Sequence, residues 1–125
     1  MILDHVGITV SNYEQSKKFY TRVLAPLGIS LITEHNNWVG LGKNNKAEFW
    51  FGLGKETKYF MHVAFVADTK EMVDNFYKIA IESGARCNGK PKHRKDYYAG
   101  YYGAFILDPD GHNIGALTHA VERSS

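Results

Sequence analysis

Cysteine is almost missing from this chain. The one present, Cys87, rules out a disulfide within the molecule. That fits a reducing compartment, and no catalytic pattern surrounds the thiol, so Cys87 reads as inert. Neither sign of charge dominates. The net charge of +2 at pH 7 gives no ground to expect nucleic acid or an anionic membrane as a partner. No apolar run is long enough to span a bilayer. The N-terminal MILDHVG has no basic region followed by an apolar stretch. No secretory signal is therefore expected, and the expected location is cytoplasmic. Low-complexity segments and long linkers are also lacking. What is there has the make-up of a soluble globular protein, 44% hydrophobic and 22% charged over 125 residues. That length is near the commonest for one domain. At this size folding hides about two thirds of the unfolded surface, enough for a working core.

An internal repeat organises the chain. His5 and His62 are 57 residues apart, and so are Phe19-Tyr20 and Phe76-Tyr77. HVGITV lines up on HVAFVA without a gap, and Gly28 and Gly84 match to within one residue. In both copies a strand alternating apolar with small or polar residues leads into an amphipathic helix. Ser11 is expected to cap the first helix, with Glu14 completing a capping box. Phe19, Tyr20, Val23 and Leu24 form its apolar stripe, and Pro26 and Gly28 end it. Asp68 or Thr69 caps the second helix. Its stripe is Met72, Val73, Phe76, Tyr77, Ile79 and Ala80, and Gly84 ends it.

Three short strand-like runs follow each helix: SLITEH, WVGLGK and AEFWFGL, then ARCNG, YYGAFILD and NIGALTH. DPDG at 108–111 marks a turn between the last two. The pattern is β-α-β-β-β, twice. It predicts an α+β fold of two pseudo-symmetric βαβββ modules, about 1–56 and about 57–120. Together they make a single domain over 1–125 around a concave cavity. The basic and aromatic segment 89–102 is expected to be its loosest element.

The apolar faces of the two first strands should lie under the helices. The opposite faces can then enclose the cavity, with His5 and His62 pointing in. The run KAEFWFG puts Glu48 and Trp50 on one face and Ala47, Phe49 and Phe51 on the other, and the pattern alone leaves open which is inner. If Glu48 and Trp50 face the cavity, two imidazoles and a carboxylate converge. That set suits a divalent metal such as Zn, Ni, Fe or Mn. The other reading of the same residues is two hydrogen-bonded pocket histidines, shared because the modules share an origin, and a surface carboxylate.

The stretches DHVGITVSNYEQSKKFYTRVLAPLG, FMHVAFVADTKEMVDNFY and AFILDPDGHNIGAL resemble the vicinal oxygen chelate superfamily over nearly all of 1–119. That superfamily includes glyoxalase I, bleomycin-resistance proteins, fosfomycin-resistance thiol transferases and extradiol dioxygenases. The resemblance implies metal ligands at His5, His62 and Glu48, and a fourth, a glutamate, shortly after the DPDG turn. Gly115 stands at that fourth place and offers no side-chain ligand. His119 shares its strand face too far along to replace it. The residue expected to act as catalytic base is thereby lost, and the base is unassigned. Gly115 could also make room for a bulkier ligand. The resemblance sets segment 89–102 beside the pocket, so His93, Arg94, Tyr97, Tyr101 and Tyr102 join Trp50 and His112 as the expected substrate-binding residues. The implied function is a small metal-dependent enzyme, lyase-type or related, that chelates vicinal oxygens of a small substrate. The alternative is a non-catalytic binding protein of the bleomycin-resistance type, without metal. A homodimer is implied in either case.

Overall fold

The computed structural model describes residues 3–54, 60–94 and 101–119. The first module runs β1 (Val6–Val10), α1 (Tyr13–Val23), a short 3-10 turn (Ala25–Leu27), β2 (Ser30–His35), β3 (Trp38–Lys43) and β4 (Lys46–Leu53). The second runs β5 (His62–Val66), α2 (Lys70–Glu82), β6 (Arg86–His93), β7 (Tyr102–Leu107) and β8 (Asn113–Thr118). Each module makes a four-stranded sheet, in the orders β1-β4-β3-β2 and β5-β8-β7-β6. The first strand of each module pairs in parallel with the last, and the remaining pairs are antiparallel. The doubled βαβββ pattern is therefore present, strand for strand.

Local chemistry explains most boundaries. Asn12, one residue beyond the expected Ser11, caps α1, and its side chain accepts from the Gln15 amide at 3.0 Å. Ser11 turns its own amide to the Asp110 carboxylate instead, at 3.1 Å. Thr69 caps α2 in the same way, accepting from the Met72 amide. Two tight hairpins use Asn36-Asn37 and Asn44-Asn45, all four with positive φ. Asparagine tolerates that left-handed backbone, and such turns match the twist of paired strands. Segment 89–102 is not a loop throughout. Its first part continues β6 to His93, paired with β7, while residues 95–100 lie outside the described residues.

One core serves both modules. Ile8, Val10, Phe49 and Phe51 meet Phe19, Tyr20, Val23 and Leu24 on one side. Ala104, Ile106, Ile114 and Ala116 meet Val73, Phe76 and Ala80 on the other. Edge-on contact of Phe49 with Phe65, centroids 5.1 Å apart, joins the halves. The DPDG turn closes the joint with polar groups. Buried Asp108 accepts from the Tyr20 hydroxyl and from the amides of Asp110 and His112.

Candidate functional site

Because Phe49 and Phe51 are buried under α1, strand alternation turns Trp50 to the opposite face, with Gly7 and Thr9. This resolves for Trp50 the alternation that the sequence left open. Glu48 is the extra residue of a β-bulge, where Leu41 pairs with Phe49 but Gly42 with Ala47, so alternation does not place it. Val6 pairs with Phe49 and Gly7 with Trp50. His5 and Glu48 lie just before that register begins. Both line a cleft of about 460 Å³ that reaches Val63–Val66 of β5. A second cleft, of about 530 Å³, is lined by His5, Gly7, His35, Asn36, Trp38 and Trp50.

His5 is oriented by its neighbour. Its Nδ1 lies 2.8 Å from Asp4 Oδ1, and Lys46 Nζ reaches Asp4 Oδ2 at 3.3 Å and the Asp4 carbonyl at 2.9 Å. The bond from His5, then that from Lys46, holds the Asp4 carboxyl below its usual range. An ionised carboxylate only accepts, so the ring proton of neutral His5 sits on Nδ1 and Nε2 is left as an acceptor.

The indoles lie on glycines. A Cβ on Gly52 would stand 2.3 Å from the fused-ring carbons of Trp38, and one on Gly40 would stand 2.9 Å from the outer edge of Trp50. Only the lack of a side chain at Gly40 and Gly52 permits this close approach. The second sheet repeats the device with the strands exchanged. A Cβ on Gly115 would stand 2.5 Å from the Phe105 ring.

The registers make the correspondence explicit. Gly7 and Ala64 are equivalent by the internal repeat, Gly7 pairs with Trp50, and Ala64 pairs with Gly115. Trp50 is therefore the first-module counterpart of Gly115. Trp50 pairs with Gly40 and Gly115 with Phe105, so Gly40 and Phe105 also correspond. In one sheet the ring comes from the last strand and in the other from its neighbour.

The remaining expected site residues are dispersed. His62 is exposed at the start of β5, its Nδ1 3.1 Å from the Asn113 carbonyl. Arg94 caps the Phe105 ring at 5.3 Å and donates to the carbonyls of Lys90 and Gly103. His93 and Tyr102 sit on the α2 side of the sheet. The Tyr102 hydroxyl donates to Asp74, and His93 stands 3.2 Å from Lys70 Nζ. Partial burial, then Asp74, pushes Tyr102 up to about 12. Tyr101 is buried beside His119. His112 is interior: Nε2 donates to the Thr9 carbonyl at 2.8 Å, and Nδ1 accepts from the Met61 amide at 2.9 Å. Nε2 thus joins the second module to β1 of the first, and Nδ1 ties the turn to the start of β5 within the second. Tyr97 lies outside the described residues. Sequence reasoning missed Trp38, Asp4 and Phe105. The signal for the rings was the glycines spaced along WVGLG and FWFG, which mark strands with something lying close on them.

The family model of the Glyoxalase/Bleomycin resistance protein/Dioxygenase superfamily matches residues 2–115. The chain belongs to this superfamily. A glyoxalase/bleomycin resistance protein from Albidiferax ferrireducens T118 is 27% identical, with a TM-score of 0.80 over 94% of this chain and 99% of that one. A glyoxalase/bleomycin resistance protein/dioxygenase family enzyme from Burkholderia phytofirmans PsJN is 24% identical, with a TM-score of 0.71 over 92% and 96%. The oxidase ChaP-H2 is 19% identical, with a TM-score of 0.71 over 100% and 98%. The last two likenesses concern the fold alone. No curated protein matches the chain.

The metal expected from superfamily resemblance can be tested against the donors present. Among the described residues no group of three His, Cys, Asp or Glu side chains could hold a metal ion. His5 and Glu48 share a cleft, and neither cleft that His5 lines includes His62. At the fourth place Phe105 covers Gly115. The expected set of His5, Glu48 and His62 is thus not assembled within one chain. No helix among the described residues is long and apolar enough to cross a membrane.

Proposed function

We propose that this superfamily member binds a small organic molecule on the concave face of its first sheet, without a metal. The observation that carries the reading is the pair of counterparts Trp50 and Gly115. One holds an indole and the other a bare backbone under the Phe105 ring. Neither can supply a carboxylate. The face that remains is apolar and aromatic with a few polar groups at its rim, the usual make-up of a small-molecule site. A second reading, metal-assisted chemistry, draws support from one feature. Asp4 holds His5 by Nδ1 with Glu48 alongside, the kind of outer partner that often steadies a metal-bound imidazole.

A thermal-shift screen of small metabolites, on protein dialysed against a chelator and then dialysed free of it, separates the two. The expected result is stabilisation that persists at full size in the chelated protein and does not grow when Zn, Ni, Fe or Mn is returned. Stabilisation or turnover that appears only after a metal is returned would overturn the first reading and establish the second.

A further inference from the structure

We infer that the ligand is a planar aromatic molecule bearing a hydroxyl, stacked on the indoles of Trp38 and Trp50 and hydrogen-bonded at His5. This rests on the small-molecule reading above and names the ligand class for that site. Trp38 and Trp50 are the only tryptophans in the chain, and both line the same cleft of about 530 Å³. Each rests against a glycine that permits no side chain beneath the ring. Trp38 keeps 37% of its surface exposed although it is the bulkiest kind of apolar side chain. A large ring held down on one side and open on the other is a stacking platform, and flat aromatic ligands gain most from it.

The second sheet shows the contrast. Its corresponding ring, Phe105, is already capped by the Arg94 guanidinium, and three hydrogen bonds to the carbonyls of Lys90 and Gly103 tie that guanidinium in place. Between the two ring faces, the first sheet's is therefore the one left for a ligand.

The polar rim sets the second half of the inference. His5 lines the cleft with Nδ1–H committed to Asp4, and Lys46 anchors Asp4 in turn. Nε2 is then an acceptor, and the group that satisfies it is a donor. On a flat aromatic molecule a phenolic hydroxyl is such a donor.

The two tryptophans make the test direct, since intrinsic indole fluorescence reports this cleft alone. The probes are 1-naphthol, 1-methoxynaphthalene and cyclohexanol, titrated into chelator-treated protein, with affinities repeated by calorimetry. Saturable quenching by 1-naphthol is expected, with weaker binding of the methyl ether and none of cyclohexanol. Trp50→Leu keeps apolar bulk over Gly40 and should weaken 1-naphthol about tenfold, whereas Trp50→Phe should keep most of the affinity. His5→Phe removes the Nε2 acceptor and should bring 1-naphthol and its methyl ether to equal affinity while both still quench. Thermal unfolding of each variant separates a lost fold from a lost platform.

Equal binding of cyclohexanol and 1-naphthol, or no effect of Trp50→Leu in a folded protein, would overturn the stacking claim. It would leave metal-free binding intact if other molecules still stabilise the chelated protein. No binding of any small molecule until a metal is added would instead remove the underlying reading.

Discussion

At the residue scale, Gly115 and Phe105 show how much one missing Cβ determines. The ring fills the space that a side chain at 115 would enter, with closest approach 2.5 Å to a built Cβ. Gly115→Glu should therefore cost about 1–3 kcal/mol through displacement of the Phe105 ring and of Arg94 upon it. Phe105→Ala should absorb part of that cost. Urea unfolding of both single variants and the double variant reads the coupling, expected at about 0.5–3 kcal/mol. Strictly additive costs would mean that the glutamate meets something other than the ring. The absence of a carboxylate at 115 was legible in the sequence. Its counterpart was not, because the pattern along KAEFWFG shows neither the bulge at Glu48 nor which residue stands opposite Gly7. Pairing with β1 decided for Trp50.

At the element scale, both helices and their buried stripes were readable from periodicity, since Phe19, Tyr20, Val23, Phe76 and Ala80 all face the core. The cap of α1 was displaced by one residue. Ser11 and Asn12 are both good caps by type, and the choice follows from Asp110, ninety-nine positions away, which takes the Ser11 amide. Asn12→Ala should cost about 1 kcal/mol. Ser11→Ala keeps the amide and should stay within about 0.5 kcal/mol. Chemical denaturation of the two variants checks the assignment, and the reverse order would return the cap to Ser11. The Asn-Asn hairpins were readable in principle from residue type and spacing. Segment 89–102 misled because its basic and aromatic residues resemble a solvated loop, whereas pairing with β7 makes its first part a strand.

At the scale of the whole molecule, the two modules are held together by a shared core and by the DPDG turn. Tyr20 of α1 donates to Asp108 of that turn, and His112 ties β1 to the start of β5. Burial first, and Asp108 second, push the Tyr20 hydroxyl well above its usual value. An unfolded tyrosine ionises near pH ~10. A raised value in the folded state means that Tyr20's contribution is complete below about pH 10 and is lost as pH rises further. The slope approaches about 1.4 kcal/mol per pH unit for one group. Urea midpoints between about pH 8 and about pH 11 should show that fall, and Tyr20→Phe should flatten it. Tyr102, also raised, keeps the slope from vanishing. An unchanged slope in Tyr20→Phe would place the titration elsewhere.

The sequence by itself determined the duplication, the βαβββ order and the helix stripes. Each of these depends on residues near one another along the chain, or on a repeat that compares the chain with itself. Only the tertiary structure decided which face of β4 is buried, that Trp50 is the mate of Gly115, that His112 is an interior tie, and that His5, Glu48 and His62 form no metal-holding group within one chain. Those depend on register between strands and on the packing of one module against the other. Period-2 alternation is unchanged when a strand slides by two residues, so it carries no record of either.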